Sequence, residues 1–168
     1  MLKSERSETL GTLILMIAGH EVTVLMRVWP AQLDDRAQVE LWGEYIAFLV
    51  TCVDRFAARK FNDESRLEFM TGIVETVGRG FVNQPHFGST DSERIGWLER
   101  LIERRSEDLS PLKGLAEHIF AAATLMVKNF CRDLQEHSWP TLALETGKTM
   151  SIAINAALVS VPEFKHLL

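Results

Sequence analysis

Residues 34–60 read DDRAQVELWGEYIAFLVTCVDRFAARK, and their pattern decides the fold class. Val39, Trp42, Ile46, Leu49, Val53 and Phe56 recur at alternating steps of three and four. An α-helix brings such positions onto one face. A half-buried strand needs sustained two-residue alternation, and no segment of the chain has it. Asp34 or Asp35 can supply the N-cap oxygen for this helix, since a short polar side chain there accepts from an orphan backbone N–H.

Working outward, the same period recurs. A first helix is predicted over 5–28, ending before Trp29-Pro30 because proline disfavours helical geometry in the residue preceding it. A third starts at Asn62-Asp63 and runs to 82, and a short fourth covers 92–107 with Asp91 as cap. Ser110-Pro111 has the favoured N-cap and N1-proline pairing, which opens a fifth helix over 110–137. Its Leu112, Ala116, Ile119, Ala123, Met126 and Phe130 again step by three and four. Pro140 opens a sixth helix over 140–158. Wide apolar faces at 13–18 place the first helix in the middle of the bundle. The expectation is an all-α, single-domain bundle over 1–168, with about six helices: four or five long and antiparallel, one short. At 168 residues the chain can bury a core without disulfide or metal staples.

Charge narrows the function classes. Eighteen Lys and Arg against 23 Asp and Glu leave a net charge of −5, with no concentrated basic face to replace phosphate counterions. No nucleic-acid partner is expected. The four arginines within 99–108 are offset by Glu99, Glu103, Glu107 and Asp108. Cys52 and Cys131 lie inside helical patterns, which suits inert thiols in a reducing compartment. His20, Glu21 and Arg27 interrupt the apolar N-terminal run, so neither a membrane span nor a signal peptide is expected. The expected protein is soluble and cytoplasmic, without a membrane partner.

Glu21 is the most informative single residue. Leu10, Ile14, Ile17, Glu21, Val24 and Val28 form one stripe, so the carboxylate takes a core position, where charge is costly unless paired. Arg55, Lys128 and Lys148 are the candidate cations for it. His20 is adjacent in sequence but points about 100° away around the helix. Glu21, His20 and His118 form the candidate ligand-binding set, on the picture of an apolar cavity between the first, second and fifth helices.

Motifs for catalysis are missing. A carboxylate-bridged di-metal bundle needs Glu-x-x-His pairs, whereas this chain has Glu117-His118 and Glu136-His137 side by side. No metal, cofactor or catalytic residue is assigned. Thr146-Gly147-Lys148-Thr149 resembles the end of a phosphate loop, but Leu142 stands where the first glycine belongs and no strand precedes it. The loop at 83–90 is long for a helical connection and offers His86 and Phe87 as surface candidates. Gly43, Ala47 and Thr51 repeat every four residues in the second helix, as do Gly147, Ser151 and Asn155 in the sixth. Small side chains let backbones approach. Glu40, Glu44 and Asp54 on the former face point equally to solvent.

The general pattern resembles small bacterial helical proteins, a likeness that implies no activity. The leading expectation is a non-enzymatic homodimeric module with an interaction or regulatory role. The alternatives are a binding domain for a small apolar ligand anchored by Glu21, and a metal-assisted enzyme using Glu21 with a histidine such as His118 or His137.

Overall fold

Four helices start where a side-chain oxygen accepts backbone N–H groups that have no intrahelical partner. The computed structural model describes residues 3–83, 90–134 and 138–162, and the regular structure among them is helical. The elements are α1 (Lys3–Val28), α2 (Asp35–Lys60), α3 (Asp63–Phe81), α4 (Asp91–Leu109), α5 (Leu115–Phe130) and α6 (Trp139–Val159). Asp34 caps α2 through Ala37 N at 2.7 Å, and Asn62 caps α3 through Ser65 N at 2.9 Å. The cap of α4 is Thr90 rather than Asp91: Thr90 and Glu93 bond reciprocally in a capping box.

The fifth helix differs most from its sequence pattern. Ser110 is the C-cap of α4 and bonds back to Glu107 O, so Pro111 follows a helix end rather than opening a helix. The start moves to Gly114, where Glu117 accepts from Lys113 N at 3.1 Å and Gly114 N at 3.3 Å. The end comes at Phe130, with Cys131 as C-cap.

The middle of the bundle belongs to α2, not to the first helix. Residues 43–53 of α2 are all buried, and α2 packs against every other helix. Around it, α1 pairs mainly with α3, and α5 with α6. Met16 and Val28 leave α1 partly open to solvent. Leu10, Ile14 and Glu21 are buried as their stripe predicts, but the buried face then passes through Ala18, Val22, Leu25 and Trp29. A straight helix drifts about 20° per heptad against a 3.5-residue repeat, which carries Val28 out of the core. By length and composition alone, α1 could cross a membrane over Glu5–Val28. In this fold its Leu10, Ile14, Ala18 and Leu25 are packed inside the bundle.

The seam of α5 also turns. Ala123 and Met126 are buried with His118, Ala122 and Val127, while Ala116 faces out. On α2, Gly43, Ala47 and Thr51 are buried rather than solvated, and the partner helix of this stripe is α4 of the same chain. A Cβ on Gly43 would lie 2.5 Å from Trp97 Cζ3, so only glycine lets the indole lie there. Two of the three acids of that face are interhelical clamps, while Glu40 pairs with Arg36 of its own helix. Arg105 of α4 grips both oxygens of Glu44 at 2.6 Å, and Arg66 of α3 grips Asp54 at 2.7 and 2.5 Å.

Three substitutions test this packing. Gly43→Ala should cost about 1–3 kcal/mol in urea unfolding, because the indole must move. Gly147→Ala, whose Cβ meets Ile119 at an ordinary 3.5 Å, should be neutral or stabilising by up to about 1 kcal/mol through helix propensity. Glu44→Ala removes two charged hydrogen bonds between α2 and α4 and leaves Arg105 only Asp108 of its own helix, so it should cost about 1.5–3 kcal/mol. A loss below 1 kcal/mol in the same assay would mean that Arg105 finds water instead.

Candidate functional site

The third turn from the end of α1 carries Glu21 into the interior, where it is 8% exposed between buried Ala18 and Val22. Burial pushes its carboxyl above the ordinary glutamate range, and neighbouring His20 offsets this only in part. None of the three expected cations faces it. Arg55 bonds to His118, Lys148 pairs with Glu145, and Lys128 sits over the Trp139 ring.

The group that does feel Glu21 is Tyr45 of α2, which is fully buried. Its phenol is pushed up mainly by burial, with the Glu21 charge adding to the effect. A short polar chain leads on from it. Tyr45 OH lies 3.4 Å from Thr149 Oγ1, and Thr149 donates to Thr146 O at 2.9 Å. Trp29 Nε1 donates to Thr146 Oγ1 at 3.1 Å. The chain ties α1, α2 and α6 together at one level of the bundle.

His118 belongs to a different cluster. It is 0% exposed at the second turn of α5, and its Nδ1 lies 3.0 Å from Gly114 O while Nε2 meets Arg55 Nη1. The guanidinium can only donate, so Nε2 accepts and Nδ1–H donates to the carbonyl. Burial, then the Arg55 charge, lowers its pKa, and both ring nitrogens are occupied. Arg55 lies ten residues beyond Tyr45 on α2, roughly 15 Å at 1.5 Å per residue. Glu21 and His118 are therefore not brought together, and His20 is exposed. His86, Phe87 and His137 lie outside the described residues.

The two interior thiols are kept protonated. Burial pushes the Cys52 thiol up to about 12 and the Cys131 thiol up to about 11, far from a reactive thiolate. General acids and bases work best with a pKa near the working pH. Among the described residues, no group of three or more His, Cys, Asp or Glu side chains converges as metal ligands would.

The surface is more distinctive. An apolar cleft of about 320 Å³ runs between α5 and α6, with Ala116, Ile119 and Phe120 on one side and Ala143, Leu144 and Gly147 on the other. Ser151 and Lys148 complete its lining. Phe120 and Leu144 are each 55% exposed and Ile152 is 66% exposed. Two members of the small-residue stripe, Gly147 and Ser151, form part of the cleft, and Asn155 continues the stripe on exposed surface. Glu21 does not line this cleft. The sequence pattern found the α6 half of this surface. It missed the α5 half because Ala116 and Ile119 were assigned to the core seam.

Comparisons with protein-family models, with curated proteins and with solved structures each give no match. Function must be argued from the surface and interior chemistry alone.

The titration of Glu21 has a defined sign. Its folded pKa lies above the unfolded one, so folding favours the protonated form. The associated stability is present in acid and is lost as pH rises from the ordinary glutamate range through the raised folded value. Glu21→Gln should therefore raise the melting temperature at pH 7, with the gain shrinking towards zero below about pH 4. Equal melting temperatures at pH 7 would mean that the carboxylate is solvated in the fold.

Proposed function

We propose that this chain is a non-enzymatic helical interaction module that pairs with a second copy of itself through the α5–α6 face. The observation that carries this reading is the cleft with the exposed Phe120 and Leu144 in its lining. Scattered single apolar residues are normal on a surface, whereas a contiguous apolar patch marks an interaction site. Met16, Val28 and Leu67 are also exposed, but they sit on α1 and α3, away from this cleft.

A second copy fits the face for two reasons. Gly147 and Ser151 let another helix approach the α6 backbone closely, and a twofold pairing would set the protruding Phe120 of each copy against the cleft of the other. Glu145 and Lys148 stand on the same ridge of α6, 2.6 Å apart. Opposite charges on one ridge are self-complementary, because a twofold axis can bring each against its opposite. The role that follows is assembly or regulation, and the packed, mixed-charge remainder of the bundle suits a soluble, cytoplasmic module. A small-ligand domain anchored by Glu21 gains no comparable support, since Glu21 lines none of the cavities described for this chain.

Native mass spectrometry and light scattering at micromolar concentration test the pairing. The expected result is a dimer that Phe120→Glu and Leu144→Glu each weaken about 30-fold or more, the equivalent of about 2 kcal/mol at an interface anchor. Both side chains are half-exposed, so circular dichroism should show an unchanged fold. A wild-type chain that stays monomeric at tens of micromolar would sink the proposal.

A further inference from the structure

A second cavity, of about 260 Å³, opens where α2 meets the start of α5, lined by Cys52, Arg55, Phe56, Arg59, Lys113 and Leu115 together with Gly114. Three of these side chains are cationic and none is a carboxylate. Arg55 is half-buried and Arg59 and Lys113 are exposed, so the cations run from the wall to the rim. Cys52 and Phe56 are buried and form an apolar floor.

Arg55 is the unusual member. The other arginines that clamp helices to α2 do so through carboxylates: Arg66 through Asp54, and Arg105 through Glu44. Arg55 instead donates to Leu109 O at 3.4 Å, to Lys113 O at 3.2 Å and to neutral His118. Those bonds satisfy hydrogen-bonding geometry and, among the described residues, leave its charge without a bonded carboxylate. They use Nη1 and Nη2 and leave the Nε–H and one Nη2–H unspent, since a guanidinium has five donors. Among the described residues, Arg59 has only the Phe56 ring, at 5.9 Å, and the Lys113 ammonium has no bonded partner. Glu117 of α5 has turned its carboxylate to Lys113 N and Gly114 N. It thereby occupies the two amides just before α5.

A partly desolvated cation without a counter-ion favours an incoming anion more strongly than a surface lysine does. The apolar floor favours a ligand with a hydrocarbon part, as ligand sites combine apolar walls with a few placed polar groups. The volume lies below the range of roughly 300–1,000 Å³ typical of drug-sized ligands, so the occupant is small. We propose that this cavity binds a small amphipathic anion, a carboxylate with a short hydrocarbon body, whose charged head is held by Arg55, Arg59 and Lys113. The hydrocarbon then lies against Cys52, Phe56 and Leu115. The site is separate from the α5–α6 cleft, and its occupancy is read independently of subunit number.

The test is NMR titration of the full chain with hexanoate, hexanol and inorganic phosphate, reading the His118 imidazole and Leu115 methyl signals. Hexanoate should shift both saturably in the millimolar range or tighter, with hexanol and phosphate each at least about tenfold weaker. The double variant Arg59→Gln, Lys113→Gln changes two exposed side chains and keeps Arg55, so it should fold and lose hexanoate affinity by about tenfold or more. Hexanoate shifts that are non-saturable, or unchanged in the double variant, would overturn the site. Hexanol binding as well as hexanoate would remove the role of charge, and phosphate binding as well would remove the role of the hydrocarbon; either result overturns the assignment.

Discussion

Everything in this fold depends on enclosing one helix that is not purely apolar. α2 packs against all five neighbours, yet it carries Glu44, Asp54 and Arg55 within its buried length or at its edge. Charge removed from water must find compensation, and three of the helices that cover α2 bring some. α4 brings Arg105 to Glu44 and α3 brings Arg66 to Asp54. The α4–α5 connection and α5 bring only carbonyls and a neutral imidazole to Arg55. Two of the three charges are closed within the chain, and the third is left facing a cavity.

The interior outside these clamps is arranged to keep protons where they are. Glu21 and Tyr45 are pushed towards their neutral forms by burial, as are both thiols, while His118 is pushed towards neutral imidazole from the other side. Each shift removes a charge from low dielectric. Polar groups inside this bundle specify which helix meets which. The Tyr45–Thr149 contact and the Trp29–Thr146 bond, spanning α1, α2 and α6, do this most directly. The chemistry available to other molecules then lies at the surface, in an apolar cleft and a cationic cavity that share α5.

Legibility followed the range of the interaction. The helix starts at Asp34 and Asn62 were readable because a cap bonds three residues along the chain. The start of α5 was misread because Ser110-Pro111 is equally good chemistry for leaving α4, and the Gly114-x-x-Glu117 spacing was the better signal. Glu21 stood out as a core carboxylate from its stripe alone. Its company did not, because Arg55, Lys128 and Lys148 each had a nearer partner on another helix or on their own. The acids of α2 looked like a solvated face because a clamp and a solvent-facing charge have the same sequence.

By itself, the sequence determined that the chain is helical in about six segments, that three of them carry a three-and-four stripe, and that Glu21 turns inward. These are properties of side-chain direction about a single helix axis and of bonds within one turn. Only the tertiary structure decided that α2 rather than α1 is central, that Glu44 meets Arg105 across 61 residues and that Arg55 meets His118 across 63. Periodicity fixes which way a side chain points from its own helix. It contains nothing about which helix stands opposite, since that depends on how six apolar faces share one buried volume.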